Sequence, residues 1–246
     1  MKEKFFRNHT EPITGVQKQD TFFCRCGAII IAIEMKTGSE KGTKMTQWEI
    51  RNLYEIPWDF LKDFDRYQEV KRCWRREEGM WVLRDVPFVE QWNDEDKWEI
   101  VSELRQIAQD GGLVLAAFSR EECPVGFAAV ERKPEGSRDQ YAVLHFLYTD
   151  RRWRGQGIGK ELFRRCCGYA RCIGTEKLYI SAHSSEESQR FYRRLGCTDA
   201  MELIPRLYER EPWDCHIEYA LYREGNGVSE RVPAVPGEGR EIKSSK

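Results

Sequence analysis

Arg154-Gly155-Gln156-Gly157-Ile158-Gly159-Lys160 joins a strand-like run, Tyr141–Thr149, to a helix-patterned run over 160–173. A strand, a glycine-rich turn and a helix N-terminus together make an anion site. The first-turn amides have no acceptors within the helix, and they carry about half a positive charge between them. Glycine lets the backbone approach a phosphate with no Cβ in the way. The turn from Gly157 to Lys160 therefore reads as the binding place of a phosphate-bearing cofactor. Two well-known phosphate loops fail on spacing. In the dinucleotide fingerprint Gly-x-Gly-x-x-Gly the third glycine falls on Lys160 or on Leu162, depending on where the count starts. The triphosphate loop needs Ser or Thr after Gly-Lys, and Glu161 stands there.

What remains is Arg-x-x-Gly-x-Gly, read on Arg154, Gly157 and Gly159. A second motif lies downstream. The apolar run Lys177–Ala182 is followed by Ser184-Ser185-Glu186-Glu187-Ser188 and then by Phe191-Tyr192 and Gly196-Cys197. Ser184 and Glu187 have capping-box spacing, and Gly196 can close the helix in the left-handed conformation. With these two motifs in this order the chain resembles the GCN5-related N-acetyltransferase (GNAT) family. Its members hold the pyrophosphate of acetyl-CoA on such a turn and carry Phe-Tyr, then Gly-Phe, on the following helix. The chain departs from the pattern at Cys197, where Phe is usual, and at Ser185, where many relatives have Asn.

The rest of the pattern agrees. A strand is expected over 47–53 and a helix over 57–77, with Phe60, Leu61, Phe64, Tyr67, Val70 and Trp74 on one stripe. Asn93 is placed to cap a second helix whose first turn holds Asp94, Glu95 and Asp96. Its stripe is Val101, Leu104, Ile107 and Ala108, ended by Gly111-Gly112. Strands over 113–118, 125–131 and 141–149 read as consecutive and antiparallel. The glycine-turn helix, strand 177–182, helix 185–195 and strands near 198–203 and 215–222 complete the order. The resemblance covers residues 47–222. It implies an α/β (α+β) fold, a mixed, mainly antiparallel central sheet flanked by helices, as in GNAT-like acyl-CoA N-acyltransferases. Residues 1–44 read as an N-terminal extension ending in a polar linker, or as sequence ahead of a true start at Met45. The domain then runs over 45–223, and 224–246, rich in Gly, Pro, Ser and charge, reads as a disordered tail.

Composition narrows the function classes. Of 246 residues 40% are apolar, enough for one well-buried domain, and the formal net charge is −1, which does not suit a nucleic-acid binder. Charge is local: residues 151–177 hold eight bases against two acids, a field that favours an anionic cofactor. Nine cysteines show no zinc-ligand spacing and no secretory pattern precedes them, so no metal is expected and a reducing cytoplasm is. The longest apolar run, 27–33, is far too short to span a membrane.

The resemblance assigns roles. Arg154, Gly155, Gln156, Gly157, Ile158, Gly159 and Lys160 hold the pyrophosphate of acetyl-CoA. Backbone groups of Leu147, Tyr148 and Thr149 pair with the pantetheine arm, and Ser185, Ser188 and Tyr192 flank it. Tyr192 is the candidate acid for the leaving thiolate; the alternative is a packed tyrosine that touches coenzyme A without proton transfer. His145 is the candidate base, with Glu131, Tyr148 and His183 as rivals. A base is needed because an alkylamine is mostly protonated at pH 7, and freeing it costs about 4–5 kcal/mol. The expected activity is transfer of acetyl from acetyl-CoA to the primary amine of a small molecule, by a monomer or homodimer. Residues 75–103 hold nine acids and four bases, a field suited to a cationic acceptor, although Asp94 to Asp96 serve equally as helix caps. A protein or peptide acetyltransferase and a non-catalytic acyl-CoA sensor are the alternatives.

Overall fold

The computed structural model describes residues 47–221; the expected extension 1–44 and tail 224–246 lie outside them. Nine strands and four helices follow one another as β1 (Trp48–Asn52), β2 (Gln68–Glu77), β3 (Met80–Glu90), α1 (Asp94–Gln109), β4 (Leu113–Ser119), β5 (Pro124–Val130), β6 (Tyr141–Thr149), α2 (Ile158–Cys172), β7 (Lys177–Ala182), α3 (Glu186–Arg194), β8 (Thr198–Asp199), α4 (Pro205–Arg210) and β9 (Cys215–Ala220), all within the described residues. Seven strands form one sheet in the order β1-β4-β5-β6-β7-β9-β8, and β2 and β3 form a separate hairpin. Only β6 and β7 are parallel; every other neighbouring pair is antiparallel.

Alternation along β4 and β5 divides the core into two layers. Val114, Ala116, Phe127 and Ala129 meet Val101, Leu104 and Ile107 of α1, together with Ile56, Phe60, Leu61 and Phe64 from the segment after β1. On the other face lies α2, whose buried residues Ile158, Leu162, Phe163, Cys166, Cys167 and Ala170 recur at helical spacing. Helix α1 begins as its sequence suggests. Asn93 Oδ1 accepts from the Asp96 amide at 2.9 Å, and Asp96 Oδ2 accepts from the Asn93 amide at 2.9 Å. Among the described residues no helix is long and apolar enough to cross a membrane.

The helix expected over 57–77 does not form. Residues 58–63 are turns, and the chain is extended from Gln68. Phe60, Leu61 and Phe64 are buried as expected, but from a compact loop. Burial at odd spacing explains the false stripe. Val70 and Cys73 of β2 are both buried although three residues apart. In an alternating strand they face opposite sides, so both sides are covered there and the pair imitates helical spacing. The bulge of this hairpin lies on the partner strand: Val70 pairs with Phe88 and Arg72 with Asp85, which leaves one extra residue in β3. Glu78 and Gly79 close the hairpin with φ of +49° and +82°, the primed-turn geometry that joins twisted strands tightly.

Gly112 enters β4 where α1 ends. A Cβ there would stand 2.6 Å from the Val130 carbonyl oxygen and 2.9 Å from that of Ile107. Neither backbone group can move without disturbing β5 or the helix end. Gly112→Ala is expected to lose about 1–3 kcal/mol of stability, the usual cost of overpacking. Urea unfolding followed by far-UV circular dichroism measures this; an unchanged midpoint would contradict the contact.

Candidate active site

β6 and β7 pair only from Tyr141 to Val143, against Lys177 to Tyr179. Beyond that they diverge, and among the described residues the β7-facing edge of β6 from Leu144 to Thr149 has no strand partner. The gap opens into a cleft of about 770 Å³. Its floor is the β6 edge and its far wall is the end of β7 and the start of α3. Its near wall is the turn from Arg151 to Lys160 with residues 66–69.

The turn is built from both directions. Asp150 is fully buried and accepts hydrogen bonds from the Asp65 amide at 2.8 Å, the Arg152 amide at 2.9 Å and the Arg152 guanidinium at 2.6 Å. These bonds hold the carboxyl below its ordinary range although burial alone would raise it. The chain then makes one 3₁₀ turn, Arg151–Trp153. Gly155 and Gly157 follow with φ of +78° and +85°. Gly157 is the N-cap of α2 and supplies no side-chain acceptor. The first intrahelical bond runs from the Glu161 amide to the Gly157 carbonyl at 3.0 Å, so the amides ahead of it point outward. A Cβ on Gly155 or Gly157 would meet nothing within 4 Å. The packing does not demand glycine at these two places; the backbone conformation and the open space above it do. Gly126 lets the helix sit so close, since a Cβ there would fall 2.7 Å from Ile158 and 3.1 Å from the Tyr148 carbonyl.

The wall is cationic. Arg66, Arg151, Arg154 and Lys160 line it, against Glu69 and Glu187. Arg154 donates to the carbonyls of Arg66 at 3.1 Å and Thr149 at 3.4 Å. Burial, and Arg66 beside it, lower its pKa. Arg66 is nearly fully buried. It donates to Glu90 at 2.6 Å and Gln68 at 2.9 Å and faces the Trp92 and Tyr148 rings at 5.8 and 5.1 Å. Its Nε finds no acceptor among the described residues.

The structure brings most of the expected residues to one place. Leu147, Tyr148, Thr149, Arg154, Gly155, Gly157, Ile158, Gly159, Lys160, Ser188 and Tyr192 all line the cleft. Gln156 is exposed and stands outside it. Ser185 is corrected: it is fully buried and is itself the N-cap of α3, its Oγ accepting from the Ser188 amide at 3.3 Å. The cap therefore lies one residue beyond Ser184, whose hydroxyl accepts from Arg75 at 2.7 Å. Tyr192 is 8% exposed, and burial drives its pKa far upward. No described side chain takes its proton, so the phenol stays protonated at the cleft wall.

His145 sits on a second irregularity. The β5–β6 register slips between Ala129 and Val130, so Phe146 and Leu144 face consecutive β5 residues and His145 is extra. His145 and Phe146 consequently share a face, with ring centroids 4.5 Å apart. The simple alternation that groups His145 with Leu147 and Thr149 fails here. The imidazole is clamped: Nε2 lies 2.6 Å from Glu103 and Nδ1 2.7 Å from Glu131. Burial would lower its pKa, but the two carboxylates outweigh burial and raise it. Arg210 bonds Glu103 at 2.7 Å and Arg206 bonds Glu131 at 2.6 Å.

The other candidate bases are also engaged. Glu131 belongs to this clamp. The Tyr148 phenol is raised by burial. His183 Nδ1 accepts from the Ser185 amide at 3.1 Å, and burial lowers its pKa.

The clamp has a pH signature. Glu103, held at about 2 by His145 against the opposing effect of burial, contributes stability above its ordinary 4.5 and loses it as pH falls. His145 contributes fully below its ordinary 6.5 and loses that as pH rises through its raised folded value. Both terms are complete only between these limits. The stability gap between wild type and His145→Gln is therefore expected to be widest at pH 4.5–6.5 and to shrink toward alkaline pH. Thermal unfolding of both proteins across pH tests this; a gap that does not vary would remove the charged histidine.

The chain belongs to the GNAT acetyltransferase family. The profile described as "Acetyltransferase (GNAT) family" matches residues 48–197. The chain is similar to an uncharacterized N-acetyltransferase of Methanocaldococcus jannaschii, 24% identical over 181 residues, 72% of this chain and 68% of the relative. It is also similar to a glucosamine 6-phosphate N-acetyltransferase of Trypanosoma brucei brucei, 30% identical over 100 residues, 39% of this chain and 67% of the relative. Among solved structures it resembles a nourseothricin acetyltransferase with a TM-score of 0.53 at 17% identity, over 72% of this chain and 100% of the other. A candidate streptothricin acetyltransferase from Bacillus anthracis, solved in complex with acetyl coenzyme A, gives 0.52 at 14%, over 73% and 100%. At these identities the two structures establish the fold, a mixed and mainly antiparallel sheet flanked by helices.

Proposed function

We propose that this acetyltransferase moves the acetyl group of acetyl-CoA to a primary amine of a small molecule, by direct attack within a ternary complex. One observation carries the reading: an uncapped helix N-terminus on two positive-φ glycines stands beside an unpaired strand edge in one cleft. The amides and the Arg154 and Lys160 side chains suit the pyrophosphate. The open edge of β6 suits the amide-bearing pantetheine arm, which can add to it as a strand does. Tyr192, kept protonated by burial, is placed to protonate the leaving thiolate. His145 serves as a positioning residue rather than the base, since both ring nitrogens are held by carboxylates.

The β2–β3 hairpin favours a small acceptor. The Trp74 amide bonds the Ser184 carbonyl at 2.8 Å, and Arg72 bonds Glu186 at 2.9 Å, so the hairpin is anchored at the head of α3 and walls the cleft. The acidic surplus of residues 75–103 is largely spent on caps and ion pairs. Glu90 stands 3.6 Å from the cleft-lining His183 but is itself paired with Arg66 at 2.6 Å, so this set leaves little free negative charge for a cationic amine.

Thiol release from acetyl-CoA tests the reading with spermidine, glucosamine 6-phosphate and a lysine-containing peptide as acceptors. Turnover with a small amine is expected, with the acetylated product seen by mass spectrometry. Turnover with the peptide alone would replace the small acceptor by a protein. Acetyl-CoA binding without turnover on any amine would make the chain a sensor.

A further inference from the structure

Asp214 lies between α4 and β9, directly behind the cleft-lining residues of β7. The β7–β9 ladder pairs Ala182 with Cys215. One step further along, Asp214 stands across from His183, where β7 has parted from β6. Its carboxylate accepts one hydrogen bond among the described residues, from Ser181 Oγ at 3.0 Å. Ser181, Ala182 and His183 all line the cleft. The charge of Asp214 adds to the effects that oppose ionisation of the Tyr148 and Tyr192 phenols. Its carboxylate is thus tied to the cleft through Ser181, and among the described residues no arginine or lysine pairs with it. Of the other acids around the cleft, Glu90 is bonded to Arg66 and Glu69 to Tyr67; Glu187 lies on α3 beside the glycine turn.

We propose that Asp214 is the base that takes the proton from the acceptor amine, with Ser181 orienting its carboxylate. This rests on the acetyl-transfer reading above. One ammonium proton passes to Asp214 and then to water, and the freed nitrogen lone pair forms the C–N bond to the thioester carbon. The C–S bond breaks, and the sulfur takes its proton from Tyr192. The second proton of the attacking nitrogen restores Tyr192, so the reaction yields the amide, the free thiol and one proton.

Electrostatics fit the role. Burial first, then Glu211 of the same turn and Glu90 of β3, push Asp214 up to about 7, and the Ser181 hydroxyl opposes them. The remaining titratable groups around it are His183 across the ladder, Tyr148 of β6, Tyr192 of α3 and the Cys215 thiol, itself pushed up to about 12. An ordinary aspartate lies about six pH units below an alkylamine; a carboxyl near 7 halves that gap while remaining half ionised at neutral pH.

The experiment compares two small nucleophiles in thiol-release assays across pH. Propylamine arrives protonated and needs a base; hydroxylamine is already neutral at pH 7 and does not. Wild type is expected to use propylamine with an acidic limb near pH 7. Asp214→Asn should lose that limb and fall about 10²-fold or more in kcat/KM, yet change less than about threefold with hydroxylamine, with acetyl-CoA binding intact. Ser181→Ala should move the limb to higher pH, because the hydroxyl that favours the ionised carboxyl is gone. It carries the test alone if Asp214→Asn fails to fold. Equal losses with both nucleophiles, or an unchanged limb in either variant, would overturn the base while leaving acetyl transfer standing. A folded wild type that binds acetyl-CoA but transfers to neither nucleophile would overturn both.

Discussion

Gly157→Glu is expected to remove most of the affinity for acetyl-CoA. Gly157 has φ of +85° and caps α2 without a side chain, so the new Cβ projects into space that no protein atom fills. A carboxylate there would fold over the first-turn amides, satisfy them as an ordinary cap does, and repel phosphate. The lost anion site and the added repulsion together are expected to raise Kd at least about 100-fold, or roughly 3 kcal/mol. Gly157→Ala separates the causes. It carries the same left-handed strain, about 1–2 kcal/mol on stability, but no charge, and its affinity should fall far less. Calorimetric titration of the three proteins with acetyl-CoA reads this directly. Glu binding within threefold of wild type would move the pyrophosphate away from the turn.

The glycine turn was legible because its chemistry is local. Gly155, Gly157 and the residues of α2 occupy consecutive positions, and their meaning depends on backbone conformation alone. The α1 cap and the strands from β4 to β7 were legible for the same reason: each announces itself within a window of about ten residues. The errors arose where strands depart from simple alternation. A bulge at His145 breaks the alternation along β6, and β2 looked helical because Val70 and Cys73, three residues apart, are both buried. A bulge is one residue long and has no composition of its own. The better signal for the hairpin was Glu-Glu-Gly at 77–79, set between runs rich in β-branched and aromatic residues. Arg66, Asp150 and Asp214 were invisible for a different reason. Asp150 pins the Asp65 amide and Arg66 meets Glu90 across long stretches of chain, so their roles exist only once the sheet has brought distant segments together. Ser185 shows the limit at the finest scale. Two adjacent serines both fit a cap, and the choice depends on which one β2 covers.

Tyr192→Phe is expected to lower kcat by about 10²-fold while leaving the affinity for acetyl-CoA within about threefold, the split that marks a group acting in the transition state alone. The two outcomes separate because the ring and the hydroxyl have different work. The ring packs against Phe191 at 5.1 Å and Phe163 at 6.3 Å, contacts that phenylalanine keeps, so neither the fold nor the cleft wall should change. The hydroxyl has no protein partner among the described residues, and its raised pKa keeps it protonated in the resting enzyme. What is left for it is to donate. A thiolate is a much better leaving group than an amide nitrogen, so protonation helps late in the reaction and the loss need not be total. The effect should therefore shrink when the leaving thiol is more acidic. An acetyl thioester of an aromatic thiol, compared with acetyl-CoA, gives that measurement. A loss of less than threefold with acetyl-CoA would confine Tyr192 to packing, and an equal loss with both thioesters would assign its hydroxyl to binding rather than to proton transfer.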